Sequence, residues 1–171
     1  MKIFLESQRL YLREIAESDL QLLFELHSDP DVMQFIRPVE KTIDETQVTL
    51  KRILSTNKYE HGFGLWVCCL KSTDEFIGWF VLKNLDKTED IEIGYRLLRK
   101  CWGNGYATEM SRELLKYGFE KLNLDKIVGA TRSDNVPSQH VLEKIGFKFE
   151  GIQHVYNTDA WIYWCLNPMK A

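Results

Sequence analysis

The chain has 171 residues, of which 44% are hydrophobic and 12% aromatic, and only 4 are prolines. This length and composition predict one compact domain over residues 1–171 with a sizeable core, and they exclude a largely disordered chain. The formal net charge of −3 at pH 7 argues against binding to nucleic acid, which needs a basic field. Any anion must therefore be bound by a local group of donors.

Membrane association is also not expected. The longest apolar runs, residues 65–70 and 161–166, have six residues each, whereas a membrane-spanning helix needs about 20. The first residues reach an acid, Glu6, before any long apolar stretch, so they are not typical of a secretory signal. We expect a cytoplasmic protein.

The cysteines do not predict a metal site. Cys68, Cys69, Cys101 and Cys165 form no C-x-x-C pair, and no histidine stands at ligand-like spacing to them. Cys68 and Cys69 are adjacent, so they point to opposite faces of a strand. We expect reduced, mostly buried thiols and no bound metal.

The apolar pattern gives the elements in chain order. It predicts a strand at 9–15, a helix from about residue 20 to the Asp29-Pro30-Asp31 stop, and a helix at 44–54. Three strands follow at 63–70, 76–82 and 90–97, and the isolated Gly94 indicates a bulge in the third. The last part is predicted as helix 105–122, strand 126–133, helix 136–145, and strands 147–155 and 159–167. This order predicts an α+β (mixed α/β) domain, a largely antiparallel central sheet flanked by helices.

A glycine-containing segment, residues 99–108, joins a predicted strand to the longest predicted helix. Amides next to Gly103 and Gly105 can turn toward one ligand, and the helix adds the positive end of its dipole, so this junction is typical of a diphosphate site. A dinucleotide-binding motif needs a third glycine where Thr108 stands, and the Walker spacing is absent. A bare G-x-G also makes an ordinary turn or helix start, and that alternative stays open.

Several motifs in a fixed order identify a family resemblance. They are Ile93-Gly94-Tyr95-Arg96-Leu97, Trp102-Gly103-Asn104-Gly105-Tyr106-Ala107-Thr108-Glu109, Asn135-x-x-Ser138 and Leu142-Glu143-Lys144-Ile145-Gly146-Phe147. Together they resemble the GNAT acetyltransferases, and the group that looks most similar is the RimJ/RimL-like type that acetylates ribosomal-protein amino termini. Residues 9–13 resemble the opening strand of that group, and residues 161–166 its closing strand.

This resemblance implies a GNAT-like fold that binds acetyl-CoA in a cleft between two splayed strands, residues 92–97 and 126–132. The family's phosphate loop, [Q/R]-x-x-G-x-[G/A], is matched by residues 100–105 with a lysine in first place. That exchange keeps a cation but loses the planar fork of arginine. The implied cofactor-binding residues are Leu97, Leu98, Lys100, Trp102, Gly103, Asn104, Gly105, Tyr106, Ala107, Asn135 and Ser138.

Two of these residues also have a purely structural interpretation. Asn135 suits the N-cap of the helix that follows it, and Ser138 suits the first turn of that helix. Capping and contact with the cofactor are compatible, and both stay open.

The implied reaction needs a neutral amine, a donor to the carbonyl oxygen and a proton for the departing thiolate. Glu92 is the candidate base, acting directly or through water, although its alternation also fits a solvated sheet face. Ser138 is the candidate proton donor, with Tyr95 or Tyr106 as replacements. Cys101 is interpreted as packing rather than as a nucleophile.

These expectations define an N-acetyltransferase that moves an acetyl group from acetyl-CoA to a primary amine. The amine is a protein N-terminal α-amine or that of a small molecule, with no metal, nucleic acid or membrane involved. The alternative is a non-catalytic acyl-CoA-binding or sensor module of the same fold. A homodimer is left open.

Overall fold

A computed structural model of the chain describes residues 2–170. Within that range, eight strands form one sheet, and five α-helices cover its faces. The strands are β1 (Ile3–Glu6), β2 (Leu10–Glu14), β3 (Gly64–Leu70), β4 (Phe76–Asn84), β5 (Ile91–Leu97), β6 (Lys126–Thr131), β7 (Lys148–Val155) and β8 (Thr158–Leu166). The helices are α1 (Leu20–Ser28), α2 (Pro30–Met33), α3 (Ile43–Thr56), α4 (Tyr106–Glu120) and α5 (Val136–Lys144).

The strand order in the sheet is β1-β2-β3-β4-β5-β6-β8-β7. Every neighbouring pair is antiparallel except β5 and β6, which run parallel. The predicted α+β fold with a largely antiparallel sheet is therefore confirmed. The single-domain prediction covers residues 1–171, of which Met1 and Ala171 lie outside the described range.

Two short elements near the amino terminus were not predicted. β1 has four residues and a register shift within its pairing to β2, so it is too short to show a clear alternation. α2 begins at Pro30, where the sequence predicts a stop. The Asp29 carboxylate accepts hydrogen bonds from the Asp31 and Val32 amides, and this cap starts a one-turn helix at the proline.

The predicted bulge at Gly94 is wrong. Gly94 pairs with Val81 in regular register, and a Cβ added at Gly94 would lie 3.1 Å from Val81 Cγ1. The glycine is thus explained by close approach across the strand pair rather than by an extra residue. The β4–β5 pairing has no register shift, whereas the β3–β4 pairing has one next to Cys68 and Cys69.

The two faces of the sheet carry different helices. α4 packs on the face of Leu82 and Ile127, because a Cβ on its Gly118 would meet both of those side chains. Along β5, Ile93 is opposite Leu82, so Ile93, Tyr95 and Leu97 share the α4 face, whereas Glu92 and Arg96 face the other way. On that second face, α1 packs against β4, and α3 packs against α1.

The core confirms the interpretation of the cysteines. Cys68, Cys69 and Cys101 are buried free thiols, and Cys165 is half-buried and also free. Burial raises the pKa of the Cys101 thiol, which disfavours the thiolate and agrees with a packing role. Within residues 2–170, no helix has the length and apolar character that crossing a membrane requires.

Candidate active site

The segment between β5 and α4 has the backbone that its glycines predict. Gly103 and Gly105 have φ values of 77° and 78°, in the left-handed region that disfavours other residues. A Cβ added at Gly103 would meet nothing within 4 Å. Glycine is therefore required here by the backbone conformation and not by contact with the rest of the protein.

The amino terminus of α4 presents unpaired amides. The Glu109 amide makes the first bond of the helix, to the Gly105 carbonyl at 3.0 Å, and no side chain caps the helix. The amides of residues 106–108 therefore have no intrahelical acceptor and point out of the end of the helix. Together with the helix dipole, they form a site for an anion such as a diphosphate.

Arg9 and Glu109 hold this segment to the first hairpin. Arg9 Nη2 donates to the Asn104 carbonyl at 2.9 Å, and Arg9 Nε donates to Glu109 Oε2 at 2.7 Å. Burial raises the pKa of Glu109, but hydrogen bonds from the Arg9 amide and the Ser7 hydroxyl outweigh it and lower that pKa. The residue spacing gave no indication of this contact, because about 100 residues separate the partners.

β5 and β6 pair at one position, Glu92 with Val128. Beyond it, the Leu98 amide donates to the Ile77 carbonyl of the adjoining strand at 2.9 Å. Because peptide groups alternate along a ladder, those of Tyr95 and Leu97 face away from β4, toward β6. The predicted splay is therefore present, with backbone groups along one edge.

A cavity of about 460 Å³ occupies this region. It joins the open edge of β5, the start of α4, the start of α5 and the segment after Asp29. A second cavity of about 130 Å³ lies between the diverging strands. Residues lining the larger cavity include Gln34, Phe35, Tyr95, Arg96, Leu97, Trp102, Gly103, Gly105, Tyr106, Ala107, Asn135, Ser138 and Lys144.

Most of the residues predicted to bind the cofactor meet here. Those that line the larger cavity are Leu97, Trp102, Gly103, Gly105, Tyr106, Ala107, Asn135 and Ser138. Asn104 does not line it, and its side-chain amide instead donates to the Cys101 and Trp102 carbonyls at 3.2 and 3.1 Å, which closes the turn. Leu98 does not line it either, because it is buried and its amide is bonded to β4.

The Lys100 side chain lies elsewhere. Its Nζ is 2.7 Å from Glu75 Oε1, on the turn between β3 and β4, and this pairing raises the pKa of the lysine. Lys100 is not among the residues lining either cavity. The backbone of the loop, and not this cation, therefore supplies the donors next to the cavity.

Asn135 caps α5 as predicted, and the contact of Asn135 and Ser138 with the cofactor stays a prediction. The Asn135 side-chain oxygen accepts from the Ser138 amide at 3.3 Å and so caps α5. Both residues also line both cavities. Tyr95 lies beside them, where burial raises the pKa of its hydroxyl and a polar interaction with Ser138 opposes the increase.

Glu92 lies at the point where β5 and β6 still pair. Its carboxylate accepts a hydrogen bond from the Tyr156 hydroxyl and lies 2.9 Å from Lys83 Nζ. Burial leaves the side chain 9% exposed, and Glu92 lines neither cavity. It is thus on the face opposite α4, next to the splay but not directly in it.

Arg96 was not predicted to have a role, although the larger cavity includes it. Arg37, which follows α2 in the chain, donates to Glu40 and, at 3.3 Å, to Thr49. The alternation of apolar and polar residues in the sequence does not distinguish a buried arginine at position 96 from a solvent-exposed one. Only the structure shows that Arg96 is buried. Within the described range, no group of three or more His, Cys, Asp or Glu side chains is arranged to hold a metal ion.

Comparison with known proteins identifies the family of this chain. The model of the family described as "Acetyltransferase (GNAT) domain" matches residues 9–148. The FsC-acetyl coenzyme A-N(2)-transacetylase of Aspergillus fumigatus is 33% identical over 153 residues, which are 83% of this chain and 63% of that protein. The chain thus spans less than two thirds of that relative.

Solved structures share the whole fold. A GNAT-family acetyltransferase from Bacillus anthracis superposes with a TM-score of 0.81 at 27% identity, covering 96% of this chain and 98% of that one. RimL, a ribosomal L7/L12 alpha-N-protein acetyltransferase in complex with coenzyme A, has a TM-score of 0.79 at 19% identity, with the same coverage of 96% and 98%. These matches define the class, that of N-acetyltransferases. The chain belongs to the GNAT acetyltransferase family.

Proposed function

We propose that this chain transfers the acetyl group of acetyl-CoA to a primary amine by direct attack on the thioester. The observation that carries the proposal is the shared cavity. It brings the unpaired amides of residues 106–108, the open edge of β5 and the polar side chains of Asn135 and Ser138 to one space. An anion, an extended arm and a reacting carbonyl each find their donors there.

The residues present suit an acyl-CoA. The amides at the start of α4, next to the left-handed Gly103 and Gly105, are the proposed diphosphate site. The peptide groups of Tyr95 and Leu97 are the proposed partners of the pantetheine arm, which binds like an added strand. The Leu97 carbonyl accepts from Trp102 Nε1 at 2.9 Å, so a rotation of this indole is part of the proposal.

The proposed chemistry uses groups at the mouth of the splay. The Ser138 hydroxyl, next to Tyr95, is the proposed proton source for the thiolate. Glu92 is the proposed base. Because it lies beside Lys83 and outside both cavities, it acts through water. Deprotonation of an α-amine with a pKa near 8 costs about 1.4 kcal/mol at pH 7, whereas deprotonation of a lysine with a pKa near 10.4 costs about 4.6 kcal/mol.

The test has two parts. Added CoA should raise the thermal unfolding temperature, because a ligand of the folded state stabilises it. Incubation with acetyl-CoA and a panel of primary amines should then release free thiol. Stabilisation by CoA without any thiol release would favour the non-catalytic acyl-CoA-binding module. No stabilisation would remove both candidates.

Finer assignments rest on the residue pattern alone. They are the RimJ/RimL-like subtype and a cytoplasmic location without metal, nucleic acid or membrane partners, and a homodimer stays open.

A further inference from the structure

Arg96 is a buried arginine whose side chain has no ion-pair or hydrogen-bond partner among the described residues. It lies on β5, is 8% exposed, and its guanidinium stands 4.8 Å above the ring of Trp79. No described residue forms an ion pair or hydrogen bond with its guanidinium, and its Nε is buried with no acceptor. The indole Nε1 of Trp79 is likewise buried and unpaired. Two neighbouring donor side chains therefore lack an acceptor.

Glu40 is the carboxylate whose charge acts on Arg96, and it already has other partners. Glu40 is buried and is bonded by three groups: Arg37, the Thr49 hydroxyl at 2.6 Å, and His27 Nδ1 at 3.1 Å. Burial, then the charge of Arg96, lowers the pKa of His27 to about 4, so this imidazole is neutral at pH 7. The charges of Arg37 and Glu40 cancel each other, so no negative charge among the described residues remains to compensate that of Arg96.

Such a charge is costly in a folded protein. Burial and the nearby Arg37 lower the pKa of Arg96 to about 9, which still leaves the guanidinium protonated at pH 7. A buried, unpaired charge destabilises a protein unless an anion or water meets it. Arg96 is on the face opposite α4 yet lines the cavity that contains Ser138 and the phosphate loop. An anion there would lie across the sheet from the proposed diphosphate site.

We propose that Arg96 binds a carboxylate of the amine acceptor, so that the acceptor is a small amine bearing an acid group, of the amino-acid class. The inference rests on the proposed function, since it assigns the acceptor end of that same cavity. A planar guanidinium suits a carboxylate because it can donate two parallel hydrogen bonds. A polyamine would instead meet a like charge at this point and is excluded as the preferred acceptor.

The first experiment compares acceptors that differ only in the acid. Thiol release from acetyl-CoA is measured with each of a set of free amino acids, its amide, and the amine left after removal of the carboxyl group. Spermidine is included as a cationic acceptor. We expect kcat/KM for at least one amino acid to exceed that of its amide by about 10-fold or more, as for a charge-assisted hydrogen-bonded pair. Equal rates for acid and amide would overturn the inference.

The second experiment uses variants of Arg96. Arg96→Met keeps an apolar stem over Trp79 and should reduce the rate with the amino acid to that with the amide, mainly through KM. Arg96→Lys keeps the charge and should retain part of the preference. Lys170→Met is the matched control, because Lys170 pairs with Asp125 beyond the other end of β6. An acid preference that survives in Arg96→Met would overturn the inference.

Thermal unfolding separates binding from a structural role. If Arg96 only supports the fold, Arg96→Met should unfold at a lower temperature. If Arg96 awaits a ligand, the variant should be as stable as the parent chain or more so, and the amino acid should stabilise only the parent. CoA should stabilise both. If CoA does not bind the parent chain, the proposed function is overturned. If CoA binds but the amino acid is not preferred over its amide, only the Arg96 inference is overturned.

Discussion

Arg9 and Glu109 join the first hairpin to the helix that begins at the phosphate loop, with Arg9 Nε 2.7 Å from Glu109 Oε2. The same guanidinium donates to the Asn104 carbonyl and lies 4.5 Å from the centre of the Tyr106 ring. One side chain from β1–β2 thus fixes the loop, the first turn of α4 and the direction of the amides between them.

We expect Glu109→Gln to loosen this loop. Loss of the charge removes the ion pair and weakens the hydrogen bonds from Arg9 and Ser7, so the amides are less well ordered for an anion. CoA affinity should fall about 5-fold, the effect of about 1 kcal/mol. Titration calorimetry with CoA measures it. Glu6→Gln is the matched control, since Glu6 forms an exposed pair with Lys71, and it should leave the affinity unchanged.

We expect Gly103→Ala to separate backbone strain from binding. A left-handed φ costs an alanine about 1 kcal/mol, so the free energy of unfolding should fall by about that amount. Gly146 offers the matched control, because its φ is 98° and a Cβ there also meets nothing within 4 Å. Gly146→Ala should lose similar stability and keep CoA affinity, whereas Gly103→Ala should lose both. Equal CoA affinity in the two variants would contradict the proposed phosphate site.

We expect Glu92→Gln to slow the reaction in a pH-dependent way. If the carboxylate accepts the proton of an α-amine near pKa 8 through water, the rate at pH 7 should fall by about 10-fold, which corresponds to about 1.4 kcal/mol. The defect should shrink as the pH approaches the pKa of the acceptor amine, because the amine is then already neutral. A pH–rate profile of thiol release measures this, with Glu89→Gln in the exposed turn before β5 as the control. A parallel profile at the parent rate would show that Glu92 is not the base.

We expect acid to destabilise the protein through His27. Burial lowers its pKa from 6.5 to about 4, so below pH 6.5 the unfolded chain takes up a proton that the folded chain does not. The free energy of unfolding should therefore fall by about 2–3 kcal/mol between pH 7 and pH 4.5. Urea unfolding at both pH values measures the change. His27→Gln should flatten this slope, and His61→Gln, on an exposed side chain, should not.

Glu40 extends the same trend to lower pH. Burial raises the pKa of its carboxyl, but the hydroxyls of Thr46 and Thr49 and the charges of His27 and Arg37 lower it to about 2. The stability that this carboxylate adds is present above about pH 4.5 and is lost as the pH falls toward 2. A chain whose stability did not change between pH 7 and pH 4.5 would contradict the His27 assignment.

Local patterns were enough to predict most of the fold and the loop. Alternation and helix periodicity placed the longer elements to within a few residues, because each has one buried face. The glycine pattern likewise indicated the conformation of Gly103 and Gly105. The bulge at Gly94 was wrong, because an isolated glycine is equally explained by a close approach such as that of Val81.

Long-range pairing could not be predicted in the same way. Arg9 and Glu109, and Lys100 and Glu75, meet only because the sheet brings separate segments together. Arg96 is buried on the face of β5 opposite α4, and one sequence carries no indication of which strand residues the other segments cover. The predicted partner of Glu92 was a substrate, and the structure adds Lys83 and Tyr156 as neighbours.

The single pairing of Glu92 with Val128 has a mechanical consequence. Five strands lie on one side of this pairing and three on the other, so the sheet consists of two parts, or plates, that are joined at a single residue pair, which acts as a hinge. A ligand that binds between the two parts breaks no existing strand pairing and adds hydrogen bonds of its own. The empty protein should therefore flex about this hinge, and occupancy should slow amide hydrogen exchange on both plates at once.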